Sequence, residues 1–140
     1  MDGSCILVPP EYATMEMEPP SQPRRIVAYD LDHTLIKPKD GRKRARNFDD
    51  WELLTTAVRR TVQAEHAAGA LHVIVSNQAG CKSTDDAARF AEGKVLPVVR
   101  ALGVPCAVIV AGGYGAARKP KTGGWRRFLE LAGMDRRDLD

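Results

Sequence analysis

Three short apolar runs, separated by segments in which apolar residues recur at helical spacing, constrain the fold of this chain more than any other feature. The runs are residues 26–29 (IVAY), 71–75 (LHVIV) and 107–110 (AVIV). Short, β-branched runs of this kind are typical of strands that are buried on both faces of a sheet. Strands that alternate with helices are joined by crossover connections, which favour parallel pairing. The pattern therefore predicts an α/β fold with a parallel sheet and right-handed crossovers.

The spacing of apolar residues also predicts the connecting helices. The first is predicted to begin at Asp49 or Asp50, either of which can cap it, and to end at Gly69. The second section, residues 84–102, has a helical composition, but a glycine and a proline interrupt it. Proline inside a helix removes a hydrogen-bond donor and clashes with the preceding turn. Two short helices, or a kink near 93–97, are therefore predicted there.

Length and composition indicate how the chain is organised. Its 140 residues allow one domain with a substantial core. Proline pairs mark residues 1–24 as a disordered, Pro-rich leader, and residues 25–140 are predicted to form the domain, with a last helix over 122–131. The sequence contains no apolar run of the roughly 20 residues that span a bilayer. We therefore expect an intracellular protein with no membrane partner.

Two carboxylates, Asp30 and Asp32, follow the first predicted strand, and the hydroxyl of Thr34 comes two positions later. In α/β sheets, ligands bind beyond the carboxyl ends of the strands. Carboxylates held there are costly unless they bind a cation or take part in chemistry. The pair indicates a carboxylate nucleophile supported by a second carboxylate. An Asx turn that merely ends the strand explains a bare Asp-x-Asp equally well.

The other two predicted strands also lead into candidate functional groups. Ser76 and Asn77 end the second strand and offer neutral donors to an oxyanion, although an ordinary strand-to-loop turn has the same composition. Lys119, after the third strand, can neutralise a phosphoryl group, although a surface lysine is the simpler interpretation. Parallel strands bring these ends to one edge of the sheet. Together they are the groups that phosphoryl transfer through a carboxylate requires.

Basic residues are unevenly distributed, although the formal net charge is only +3. One cluster follows the carboxylate pair and another surrounds Lys119. Such runs are usually solvated loops. Two of them near one site favour a phosphate-bearing or nucleic-acid substrate, and the first also resembles a nuclear-import signal. The two clusters consist of Lys37, Lys39, Arg42, Lys43, Arg44 and Arg46, and of Arg118, Lys119 and Lys121.

With these motifs the chain resembles the phosphatases of the haloacid dehalogenase (HAD) superfamily, which have a Rossmann-like fold. It is most similar to the 3′-phosphatase domain of the polynucleotide kinase/phosphatase family of DNA-end-repair enzymes. The segments that carry the resemblance are 30–36 (DLDHTLI), 50–51 (DW), 75–80 (VSNQAG), 102–105 (LGVP) and 118–125 (RKPKTGGW). The Asn-Gln pair and the Arg-Lys-Pro-x-Thr-Gly-x-Trp run are far more specific to the family than Asp-x-Asp.

The resemblance implies a function and a role for each candidate residue. Asp30 is the expected nucleophile, and Asp32 the acid that protonates the leaving 3′ oxygen and then activates water. Thr34, Ser76, Asn77 and Lys119 are the expected phosphate-binding residues. Mg²⁺ is expected on the carboxylate of Asp30 and the backbone carbonyl of Asp32, because a hard cation prefers oxygen ligands. The expected substrate is the 3′-phosphate end of a nucleic acid, DNA in preference to RNA, and the expected location is the nucleus. No protein partner is indicated.

The chain departs from the family pattern in two places. The family usually has glycine where this chain has His33. Its fourth motif, a Gly-Asp-containing strand end that completes the magnesium site, is expected beyond Asp140, so the domain is predicted to be incomplete at its C-terminus. No cap domain is expected, and no kinase phosphate loop occurs. Two alternatives stay open: a HAD phosphatase that acts on a small phosphate ester, and an inactive remnant or fragment.

Overall fold

A four-stranded, mostly parallel sheet forms the centre of the molecule. The structure is a computed structural model that describes residues 4–10, 25–41 and 43–113. The strands of this sheet are β1 (Cys5–Leu7), β2 (Ile26–Asp30), β5 (Leu71–Gln78) and β6 (Cys106–Gly112), in the order β1-β6-β5-β2. Strand β5 pairs in parallel with both β2 and β6. The predicted α/β architecture with a parallel sheet is therefore confirmed.

The first strand corrects part of the sequence interpretation. The sequence predicts a disordered leader over residues 1–24, yet Cys5–Leu7 pairs in antiparallel fashion with β6. Cys5 and Leu7 pack against one hydrophobic cluster and Ile6 against the other, as the two-residue period of a strand requires. Residues 11–24 of the predicted leader lie outside the described residues.

The helix that follows β2 begins later than predicted. Strand β3 (Ile36–Lys37) pairs with β4 (Glu52–Leu53), and helix α1 (Ala57–Ala67) starts only after this small second sheet. Asp50 therefore does not cap a helix. The predicted end is confirmed, since the backbone of Gly69 adopts a φ of 94° and its N–H donates to the carbonyl of His66. A glycine just past the last turn adopts this conformation at little cost.

The interruption predicted near 93–97 is present as a π-helical turn. Helix α2 (Thr84–Phe90) leads into the π-turn (Ala91–Val95), which continues as helix α3 (Leu96–Leu102). Ser83 caps α2 by accepting a hydrogen bond from the N–H of Asp86. Pro97 lies in the first turn of α3 and has no N–H to donate to the preceding π-turn.

The core lies on both faces of the sheet. Helices α1–α3 and the π-turn cover one face with a large apolar cluster, and a smaller cluster lies on the other. His72 is the second residue of β5, fully buried and stacked on Tyr29. Burial lowers the pKa of His72. A helix that spans a bilayer would have to be longer and more apolar than any helix among the described residues. The predicted last helix and Lys119 lie outside them.

Candidate active site

The two candidate carboxylates lie at the C-terminal end of β2. Asp30 is its last residue, is exposed, and pairs in register with Val75 of β5. The carboxylate of Asp30 accepts a hydrogen bond of 3.0 Å from the N–H of Leu31. Asp32 follows, and its side chain is 45% exposed. Ser76 is the residue after Val75, so the parallel pairing brings the ends of both strands to one edge of the sheet, as predicted.

A tight turn after β2 determines the direction of the chain beyond the carboxylates. The carbonyl of the buried Leu31 accepts hydrogen bonds from the N–H groups of Thr34, Leu35 and Ile36. The N–H of His33 donates to the carbonyl of Ile36 at 2.7 Å. This turn places His33 at a φ of 59°, in the left-handed region. Non-glycine residues adopt that region at a cost, which explains why glycine suits this position.

Replacing His33 by glycine is expected to stabilise the protein. Removal of the Cβ strain, partly offset by the greater freedom of glycine in the unfolded chain, should raise the free energy of unfolding by about 0.5–1 kcal/mol. Chemical denaturation measures the difference. His33→Ala is the matched control, because alanine also has a Cβ and should give no gain. Equal stabilisation by both variants would show that the imidazole, not the backbone, is the source of strain.

Gln78 connects two of the candidate residues. Its Nε2 donates to the carboxylate Oδ2 of Asp32 at 3.0 Å and to the hydroxyl of Ser76 at 2.8 Å. Strand alternation puts Ser76 and Gln78 on the same face of β5 and Asn77 on the opposite face. Ser76 is 1% exposed, whereas Thr34 is exposed on the turn after β2. The structure thus brings Asp32 and Ser76 together through Gln78.

Lys94 contributes a buried cation to the site. It lies on the π-turn, and its side chain is only 8% exposed. The ammonium Nζ is 3.9 Å from Oδ1 of Asp32 and 5.6 Å from the centre of the Phe90 ring. The carboxylate of Asp32 therefore has Lys94 beside one oxygen and Gln78 bonded to the other.

A cleft of about 650 Å³ opens beside Asp32 and His33. One wall comes from the basic loop, defined here as residues 38–41 and 43–48, and the facing wall comes from α2 and the π-turn. Phe48 is 42% exposed, and its ring contacts Phe90 edge-on, with 5.7 Å between the ring centres. The ring also lies 2.7 Å from the position that a Cβ on Gly93 would take. The cationic side chains that line the cleft are Lys43, Arg44, Arg46, Arg89 and Lys94.

Asp50 holds the basic loop in place. Its carboxylate, which is almost completely buried, accepts hydrogen bonds from the N–H groups of Lys39 at 3.2 Å and Arg46 at 2.8 Å. The guanidinium Nε of Arg46 lies 3.3 Å from the same carboxylate. The backbone N–H and side chain of Arg46, together with the N–H of Lys39, hold the pKa of Asp50 below its ordinary value of 3.8. A charged carboxylate thus anchors a loop that is rich in cationic side chains.

Asp50→Asn is expected to loosen the basic loop. The neutral amide loses the charge-assisted hydrogen bonds and turns a donor toward N–H groups, so trypsin should cut after Lys43, Arg44 and Arg46 faster than in the wild type. Asp49→Asn, at an exposed neighbouring carboxylate, is the control and should leave the cleavage rate unchanged.

In the wild type the pKa of Asp50 is lowered on folding. The loop therefore keeps this stabilisation above pH 3.8 and loses it as the pH falls through the lower folded-state value.

The chain matches one protein family over most of its length. The profile of the family described as polynucleotide kinase 3 phosphatase matches residues 25–137, which include both carboxylates, Ser76 and Gln78. The chain belongs to the polynucleotide kinase 3 phosphatase family. It is 32% identical over 107 residues to the bifunctional polynucleotide phosphatase/kinase of Schizosaccharomyces pombe. It is 35% identical over 106 residues to an uncharacterized 20.8 kDa protein of Autographa californica nuclear polyhedrosis virus.

These alignments cover different shares of the chains involved. Each spans 76% of this chain, but only 26% of the yeast protein and 57% of the viral one. The chain therefore corresponds to about a quarter of one of these relatives and to somewhat over half of the other.

Two residues of the candidate site, Gln78 and Lys94, are not predicted from the sequence. Gln78 belongs to the family motif but is assigned no role of its own, although its two-residue spacing from Ser76 places both side chains on one face of the strand. Lys94 is not among the predicted site residues. A signal is present, because Lys94 stands in an apolar stripe at helical spacing with Ala87, Ala91 and Val98, all of which are buried. A lysine on the buried face of a helix requires a partner.

The cysteine that lines the cleft is poorly suited to chemistry. Cys81 lines it, but burial and the nearby carboxylate of Asp86 raise the pKa of its thiol, so the thiol is protonated at neutral pH. Within the described ranges no group of three or more His, Cys, Asp or Glu side chains is placed to hold a metal ion. Asp30 and Asp32 thus supply oxygen donors without a third acidic residue from this part of the chain.

Proposed function

We propose that this chain is a Mg²⁺-dependent phosphatase of the HAD type that removes 3′-phosphate groups from polynucleotide ends, with DNA as the preferred substrate. The observation that carries the proposal is the pair of hydrogen bonds by which Gln78 joins Ser76 to Asp32, whose side chain lines a cleft rich in cations. Family membership supports the same reaction.

The proposed reaction uses the two carboxylates in succession. A carboxylate oxygen of Asp30 attacks phosphorus and forms an aspartyl-phosphate, while the bond from phosphorus to the 3′ oxygen breaks and that oxygen takes the proton of Asp32. Water then attacks phosphorus and gives its proton back to Asp32. The bond to Asp30 breaks, inorganic phosphate leaves, and both carboxyl groups return to their starting states.

The neutral donors and one further cation are assigned to the phosphoryl oxygens. Ser76 is suited to this role, because its hydroxyl is held by Gln78 at the strand end and is almost completely buried. Thr34 and Asn77 are proposed as additional phosphate-binding residues. Lys119 is proposed as the cation that stabilises both the phosphate and the Asp30 carboxylate. Donors aimed at the oxygens on which charge develops lower the barrier most.

The donor set at the strand end fits Mg²⁺. Oxygen atoms are the ligands this ion prefers, and it keeps several waters when few protein ligands are available. The carboxylate of Asp30 is exposed at the strand end, and the carbonyl of Asp32 is the second proposed ligand. When bound, the ion neutralises charge on the phosphoryl oxygens.

The cleft favours a polymer over a small ester. Lys43, Arg44, Arg46 and Arg89 are cations along its walls. A small phosphate ester has no further charge for them to bind, whereas a polynucleotide presents a phosphate at each linkage. The exposed ring of Phe48 in the same cleft offers a surface on which a base can stack.

Phosphate release tests the proposal directly. With Mg²⁺ present, the protein should release inorganic phosphate from an oligonucleotide with a 3′-phosphate faster than from the same oligonucleotide with a 5′-phosphate or from a nucleoside 3′-monophosphate. Its KM for the oligonucleotide should rise steeply with salt, because cations that bind phosphates displace counterions. Equal turnover of the oligonucleotide and the monophosphate would favour a small-ester phosphatase. No release from any of these substrates by folded protein would favour an inactive relative.

A further inference from the structure

Lys94 is a cation in an environment that does not favour one. Its side chain is 8% exposed, and the neighbouring positions Ala91, Val95 and Val98 are buried and apolar. Among the described residues the ammonium of Lys94 has no hydrogen-bond partner, and its closest charged atom is Oδ1 of Asp32 at 3.9 Å. The Phe90 ring, 5.6 Å away, adds a weak cation–π attraction.

Packing alone does not account for a lysine at this position. Burying an ammonium is costly, and apolar residues of similar volume are often neutral or stabilising in place of a buried ion pair. The neighbouring positions on the same helical face, Ala87, Ala91 and Val98, are apolar. The ammonium therefore contributes something other than stability to the fold.

Its contact with Asp32 indicates what that contribution is. The Asp32 side chain is 45% exposed, so without restraint its carboxylate would rotate freely in the solvent of the cleft. Gln78 bonds Oδ2 at 3.0 Å, and Lys94 lies beside Oδ1. The two residues approach from different elements, the end of β5 and the π-turn, and so restrict the carboxylate from both sides.

We propose that Lys94 is a positioning residue which, together with Gln78, holds the carboxylate of Asp32 in the orientation needed for proton transfer. The inference rests on the proposed function, in which Asp32 is the acid and base. A misplacement of about 1 Å can reduce a rate by roughly 100-fold. We therefore expect the loss of Lys94 to lower kcat rather than to weaken substrate binding.

Lys94→Met tests this role, because methionine fills a similar volume without the charge. We expect kcat for the 3′-phosphorylated oligonucleotide to fall by about 10- to 100-fold, with KM within about threefold of the wild type. The melting temperature should stay the same or rise, because a buried charge is removed and Asp32 remains solvated. Arg100→Met, which removes an exposed cation from α3 outside the cleft, is the control and should change none of these values.

The double variant separates positioning from direct binding. In an Asp32→Asn background, Lys94→Met should change kcat by less than about threefold, because residues that act through one another are not additive. Losses that multiply, or a higher KM at unchanged kcat, would show that Lys94 binds the substrate independently of Asp32 and would overturn the inference. A lower melting temperature that accounts for the lost activity would do the same. If Lys94→Met does not fold, Lys94→Gln is compared in the same way.

A measurement without turnover keeps the inference separate from the proposed function. The ¹³Cγ resonance of Asp32 should shift in Lys94→Met and stay in place in Arg100→Met, whether or not the protein releases phosphate. A wild type that is inactive on all substrates would refute the proposed function, and the resonance would still decide whether Lys94 holds Asp32. An unchanged resonance in both variants would overturn the inference.

Discussion

Asp30→Asn is expected to abolish phosphate release from a 3′-phosphorylated oligonucleotide, with a loss of at least about 1,000-fold in kcat, because an amide cannot act as the nucleophile. The variant should fold as the wild type does, since Asp30 is exposed at the end of β2 and asparagine keeps an oxygen that can accept from the N–H of Leu31. Phosphate release in the presence of Mg²⁺ measures the loss. After a brief reaction with a substrate labelled on phosphorus, acid quenching should leave label on the wild type and none on the variant.

The control for this experiment is Asp85→Asn. Asp85 is a carboxylate in the first turn of α2 and does not line the cleft, so its loss tests the effect of one fewer negative charge. Activity that persists in Asp30→Asn while Asp85→Asn is normal would contradict the nucleophile assignment. Label that stays bound to Asp30→Asn would place the covalent phosphate on another residue.

Asp32→Asn is expected to reduce kcat in a way that depends on the leaving group. A general acid contributes about 100- to 10,000-fold, and this loss should appear in full for the 3′ oxygen of an oligonucleotide, which leaves only when it is protonated. p-Nitrophenolate leaves without a proton. The variant should therefore release p-nitrophenol from p-nitrophenyl phosphate in a burst equal to the amount of enzyme, and then turn over slowly, because the second step lacks its base.

Stopped-flow absorbance on p-nitrophenyl phosphate measures the burst, and the oligonucleotide assay measures the full loss. Asparagine can still accept the hydrogen bond from Gln78 at this position, so the two proteins should have similar melting temperatures. Equal losses on both substrates, with no burst, would mean that Asp32 does not protonate the leaving group. Its contact with Gln78 and Lys94 would then serve the structure of the turn alone.

The sheet is predictable because its strands are short, apolar and β-branched. Residues 71–75 and 107–110 fall within β5 and β6, whose parallel pairing follows from the helices between them. The same logic places Asp30 and Ser76 at one edge of the sheet, because neighbouring parallel strands end together. The interruption of the second helical section is also predictable from Gly93 and Pro97, although composition does not distinguish a π-turn from a kink.

The start of the first helix is not predictable from local signals. Asp50 has the composition of a helix cap, but its carboxylate bonds to the N–H groups of Lys39 and Arg46, which precede it in the chain. The β3–β4 pair depends on contacts between residues well separated in the chain, and each strand is only two residues long. Strand β1 escapes prediction for a related reason, since the pairing that orders Cys5–Leu7 comes from β6, at the far end of the described chain.

The close approach of the Phe48 ring to Gly93, between the two walls of the cleft, has a consequence for how related sequences vary. Phe48 and Gly93 approach so closely that any Cβ at position 93 would overlap the ring. A larger residue at 93 therefore requires either a smaller side chain at 48 or a ring that swings out into the solvent. We expect the two positions to change together among homologues, with an aromatic residue at 48 accompanied by glycine at 93. Paired variation of this kind would show, from sequences alone, that the distance between the two walls of the cleft is maintained.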